Sequence, residues 1–117
     1  MRRKISHLEK KELIRAELLK CARAKPIEIL SYSDFGKRVQ IIPRGPGKAL
    51  LDLIAREEND HQRPDITVLL VRKDTGYPGQ IDGIHSKIPT PQQKIRARKK
   101  LQEVIDVYNR GAPNPFV

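Results

Sequence analysis

The chain has 117 residues, 38% of them hydrophobic and 32% charged, which suits one domain with a modest core. The net charge of +10 favours a polyanionic partner, most often nucleic acid. No apolar run approaches the roughly 20 residues that span a bilayer, and the lone Cys21 provides neither an internal disulfide nor a cysteine zinc cluster.

The basic start, Met1, Arg2, Arg3 and Lys4, is not followed by an apolar segment, so it is not read as a secretory signal, and a cytoplasmic setting is expected. Residues 6–25 then read as a helix. They contain no Gly or Pro, they are rich in strong helix formers, and Ser6 with Glu9 forms a capping-box pattern. Ile14, Leu18, Cys21 and Ala22 share one face, flanked by Leu13 and Leu19, and Pro26 ends the run. Cys21 is read as a small core residue rather than a nucleophile.

Residues 27–30 predict a short strand. Ser31 caps a second helix that runs to about Arg38, with Asp34 placed favourably in its first turn. Pro43, Arg44, Gly45, Pro46 and Gly47 form a rigid loop. A third helix follows over residues 48–59, apolar except for a strip of Lys48, Asp52, Arg56 and Asn59. The loop with Arg44 and Lys48 offers two cations and a helix N-terminus to a phosphate. It is not a Walker A loop, because Ile42 and Ala49 stand where Gly and Ser or Thr are required.

Ile66 to Val71 is an unbroken apolar run of six, bounded by Pro64 and by Asp74, Thr75 and Gly76, and it predicts a central strand buried on both faces. The turn that follows, with Tyr77, Pro78 and Gly79, is tight and Gly-rich, and a short second strand is expected near residues 81–84. A last helix is clearly marked by Thr90, Pro91 and Gln93, the signature of a capping box with Pro at the first helical position. Ala97, Leu101, Val104, Ile105 and Tyr108 lie on its packing face, and Gly111 ends it. Residues 112–117 read as an irregular tail.

The order of short strand, helix, linker, helix, strand and Gly-rich turn predicts an α+β winged-helix-like core with an additional helix at each end. One domain is expected over 1–117: a basic helix in 1–25, the core in 26–90, a basic helix in 91–110 and the tail in 111–117. Ser31, Tyr32, Ser33, Asp34 and Phe35, then Gly47, Ala49 and Leu50, then the apolar strand and its turn, resemble the winged-helix module of the DNA alkyltransferase-like proteins over residues 28–80. That family's reactive Pro-Cys-His-Arg segment is absent, since the strand reads Asp65, Ile66, Thr67, Val68, Leu69 and Leu70, so the resemblance does not imply alkyl transfer. The block over residues 63–79 is also similar to one in small bacterial and phage-type proteins.

Charge is uneven along the chain. Residues 1–25 carry nine Lys or Arg and three acids, residues 26–90 carry nine of each, and residues 91–117 carry six and two. A non-enzymatic, mainly electrostatic binder of double-stranded DNA is therefore expected, with Arg44, Lys48, Arg56, Arg96, Lys99, Lys100, Lys10 and Lys11 as nucleic-acid contacts. The 4% aromatic content argues against a single-strand binder built on stacked bases. Against groove reading by the third helix stand Asp52, Glu57 and Glu58, which repel phosphates. Two alternatives follow: a protein-interaction module acting as subunit or inhibitor of a nucleic-acid enzyme, and a small nuclease or RNase-type toxin with Asp82, His85 and Lys87 as acid–base or metal groups. No cofactor is expected.

Overall fold

The computed structural model describes residues 7–40, 46–78 and 89–116. Four helices dominate it: α1 (His7–Arg23), α2 (Tyr32–Val39), α3 (Pro46–Asp60) and α4 (Pro91–Tyr108). Two very short strands, β1 (Leu30–Ser31) and β2 (Leu70–Val71), pair in parallel, Leu30 with Leu70 and Ser31 with Val71. The molecule is thus a mostly helical globule with a minimal sheet.

The local signals for the helices act as their chemistry predicts. Ser31 Oγ accepts from the Asp34 N–H at 3.1 Å and starts α2. The Thr90 side chain accepts from Gln93 N–H, and the Gln93 side chain accepts from Thr90 N–H at 2.8 Å, so the capping box of α4 is complete. Gly111 adopts φ +91°, a left-handed conformation open to glycine.

The central apolar run departs from expectation. Ile66–Leu69 is a 3-10 helix, and only Leu70 and Val71 are strand. The cause is local. The Asp65 carboxylate accepts from the Thr67 N–H at 2.9 Å and from the Thr67 hydroxyl, which caps a tight turn at the start of the run. Leu70 N–H then closes that turn on the Thr67 carbonyl. Ile66, Thr67, Val68 and Leu69 are all buried because the turn packs against α1, α3 and α4 together. An apolar run of this length is equally well buried as a strand or as a central turn, so hydrophobicity does not separate them.

The expected wing also differs. Among the described residues β2 has β1 as its sheet partner, and no hairpin is formed. Instead the chain folds back tightly: Gly76 N–H donates to the Arg72 carbonyl at 2.8 Å, and Arg72 N–H donates to the Tyr77 carbonyl at 3.0 Å. Gly76 has φ +74°, which the turn requires. Tyr77 turns inward onto Phe116, with ring centroids 5.4 Å apart, and Pro78 is buried. The second strand expected near residues 81–84 lies outside the described residues.

One core joins all these parts. Ile14, Leu18, Cys21 and Ala22 of α1 meet Leu50, Leu51 and Ile54 of α3 and Ala97, Leu101, Val104 and Ile105 of α4 around the 3-10 turn, with Phe35 of α2. Burial of each large aliphatic side chain contributes about 1.5–3 kcal/mol relative to exposure. The tail is irregular, as expected, but it is anchored. Phe116 enters the core, and Asn114 Nδ2 donates to the Arg98 carbonyl at 2.9 Å.

Candidate nucleic-acid interface

The cations expected to meet nucleic acid separate into two groups. On α3, Lys48 and Arg56 are exposed, together with Asp52 and Asn59, so the polar strip read from helical spacing faces outward. On α4, Arg96 and Lys99 are exposed and Lys100 is half-buried. A shallow hollow is lined by Gln92, Ile95, Arg96, Lys99, Lys100 and Glu103 of α4, with Asn59 near the end of α3 at its edge. The α4 residues follow helical spacing and make a stripe about 16 Å long. Ile95 is 68% exposed in the middle of this basic stripe. Lys94 is drawn aside, with its ammonium 5.8 Å from the centroid of the Tyr77 ring.

Lys10 and Lys11 belong to a different setting. Lys10 Nζ donates to the Val39 carbonyl at 2.6 Å, which ties α1 to the end of α2. Lys11 is buried, and its ammonium donates to Glu57 Oε2 at 2.8 Å. Both ammonium groups therefore act inside the fold. Arg44 lies outside the described residues, as do Arg2, Arg3 and Lys4 and the Asp82, His85 and Lys87 group.

Lys11 is part of a larger ion network between α1 and α3. Arg15 donates to both Glu57 and Glu58. Arg63 Nε donates to Glu58 Oε2 at 2.6 Å, and its Nη2 donates to Glu58 Oε1 at 3.2 Å. Glu58 is 2% exposed, so this carboxylate sits in the interior with two guanidinium groups on it. Hydrogen bonding from Lys11, with help from Arg15, holds the Glu57 carboxyl below its ordinary range. The consequence for the α3 surface is direct. Of the three acids expected to repel phosphate, Glu57 and Glu58 are held by Lys11, Arg15 and Arg63, and Asp52 lies on the outward strip.

Charge spacing did not point to this network, but helical spacing contained it. Glu58 stands seven residues after Leu51 and four after Ile54, in the buried stripe of α3. Lys11 stands three before Ile14 and seven before Leu18, in the buried stripe of α1. Polar residues in register with an apolar stripe signal a paired interior charge.

A second cluster surrounds Cys21. Its Sγ donates to Glu28 Oε1 at 3.3 Å, and Arg38 grips the same carboxylate through two nitrogens at 2.7 and 3.1 Å. Burial, followed by the Glu28 hydrogen bond, pushes the thiol up to about 12, the opposite of what a nucleophile needs. Cys21 is a core residue. His61 Nδ1 donates to the Glu57 carbonyl at 2.8 Å, one turn back on α3. Among the described residues no helix is long and apolar enough to cross a membrane, and no His, Cys, Asp and Glu side chains gather in a group of three suited to a metal. Compared with models of protein families, with curated proteins and with solved structures, the chain matches none.

Proposed function

We propose that this chain is a non-enzymatic protein that binds double-stranded DNA, mainly electrostatically, through cations of α3 and α4. Lys48 and Arg56 of α3 and Arg96, Lys99 and Lys100 of α4 are the phosphate contacts, with Arg44 beside Lys48 in sequence. The order β1, α2, α3, β2 and turn is read as a winged-helix variant in which α3 lies near a groove and α4 supplies the cationic flank. The observation that carries the reading is the stripe of Arg96, Lys99 and Lys100 along a hollow that Asn59 of α3 also lines, with Lys48 and Arg56 exposed elsewhere on α3. Each phosphate neutralised lowers the logarithm of the binding constant by about 0.9 per decade of salt.

The test is fluorescence anisotropy of labelled duplex DNA, single-stranded DNA and RNA at low and moderate salt. The reading expects salt-sensitive binding with duplex preferred. Equal binding of all three would reduce it to general polyanion affinity, and no binding at low salt would overturn it.

A further inference from the structure

We propose that the outward face of α1 is a self-association surface that packs antiparallel against α1 of a second copy. This inference is independent of the DNA-binding reading, because it uses the side of α1 turned away from the core. Leu8 and Leu13 are 64% and 51% exposed there and line the same hollow. Two shallow hollows mark the face. The first is lined by Leu8, Glu9, Glu12 and Leu13, and the second by Ala16, Leu19, Lys20, Arg23 and Ala24.

The order of charge along this face selects the partner. Its first half carries Glu9 and Glu12, and its second half carries Lys20 and Arg23. Ala16 stands at the midpoint. Leu8, Glu9, Glu12 and Leu13 precede Ala16 by the same intervals at which Ala24, Arg23, Lys20 and Leu19 follow it. A two-fold axis through Ala16 therefore exchanges the two hollows, sets the acidic end of each helix against the basic end of the other, and leaves a small side chain where the helices cross. A closed two-fold contact has this self-complementary character. The face balances two acids with two bases, whereas the chain as a whole carries +10, so two copies meet here without net repulsion between their faces. Glu12 also accepts from Arg15 Nε at 3.2 Å yet keeps 57% of its side chain exposed. The Arg23 guanidinium lies 5.5 Å from the centroid of the Tyr108 ring, which fixes it at the far end of the face.

A contact limited to one helix of about 24 Å is small, so the expected dimer is weak, dissociating on the order of tens of micromolar. Sedimentation velocity from about 5 to 200 µM at moderate salt measures it. Wild-type protein should move from monomer to dimer across that range. Glu9→Lys with Glu12→Lys makes the face wholly basic, and Lys20→Glu with Arg23→Glu makes it wholly acidic. Each variant alone should stay monomeric, and their equimolar mixture should dimerise. Leu8→Ser with Leu13→Ser should weaken the wild-type dimer with an unchanged far-UV circular dichroism spectrum. A wild-type chain that stays monomeric throughout, or dimers that form in both charge-reversed variants alone, would overturn the proposal.

Discussion

The two ends of this chain carry the same signal in composition, but three cations of α1 are drawn onto neighbouring elements while Arg98 and Lys99 of α4 stay exposed. The N-terminal 25 residues hold nine Lys or Arg against three acids, and the last 27 hold six against two. In α1, Lys10, Lys11 and Arg15 turn toward neighbouring elements and bond to the Val39 carbonyl, Glu57 and Glu58. In α4, Arg96, Arg98 and Lys99 remain at the surface. A basic helix is therefore not by itself an interaction surface. What decides is the partner each cation finds across the fold: Lys11, in register with the apolar stripe of α1, is buried against Glu57, whereas Lys94, in the same register on α4, stays exposed beside the Tyr77 ring.

The largest effect that separates the two regions is expected at the buried carboxylate. Glu58→Ala leaves Arg15 and Arg63 without their shared partner and should destabilise the fold by about 3–5 kcal/mol. Lys99→Ala on α4 should change stability by no more than about 0.5 kcal/mol. Urea denaturation of both variants measures the contrast, and similar losses would erase it. Next is the joint between the two helices. Asn109 is buried beyond the end of α4, and its Nδ2 donates to the Ala22 and Ala24 carbonyls at 3.0 and 2.6 Å, which closes the C-terminus of α1. Asn109→Ala should cost about 1–3 kcal/mol in the same experiment.

Much of this was legible in the chain. The four helices, their caps at Ser31 and Thr90, and the buried faces of α1 and α4 follow from spacing and local hydrogen-bonding chemistry, which act over a few residues. The 3-10 turn at Ile66–Leu69 was not legible as such, because an apolar run reports burial and leaves backbone conformation to the Asp65 cap. The position of Phe116 was hidden for another reason. A tail rich in Pro and Asn gives no periodicity, and Phe116 is placed by its contact with Tyr77, far away in sequence. At the candidate interface, the strip of Lys48, Asp52, Arg56 and Asn59 was readable from helical period, whereas the pairing of Glu57 and Glu58 depends on the packing of α1.

Acid sharpens the comparison further. Lys11, followed by Arg15, holds the Glu57 carboxyl below its ordinary value of 4.5, so the folded form binds that proton less readily than the unfolded chain. The stability from this group is complete above its ordinary value and is lost as the pH falls through the lower folded value. Urea unfolding followed downward from neutral pH should show that loss. Lys11→Met should flatten it by returning Glu57 toward its ordinary range, and an unchanged profile would remove Lys11 as the cause.

The smallest expected effect is at the outward strip of α3. Asp52→Asn removes the acid that remains there and should leave duplex binding unchanged or modestly tighter in an anisotropy titration. A selective loss on one DNA sequence would instead assign Asp52 to base reading.

The central proposal, that the cations of α4 anchor duplex DNA, is tested most directly by the salt dependence of duplex binding in Arg96→Ala, Lys99→Ala and Lys100→Ala combined. Binding should weaken, the salt slope should flatten by up to about three, and the thermal unfolding midpoint should stay close to that of the wild type. A variant that binds duplex DNA with the wild-type affinity and slope would contradict it.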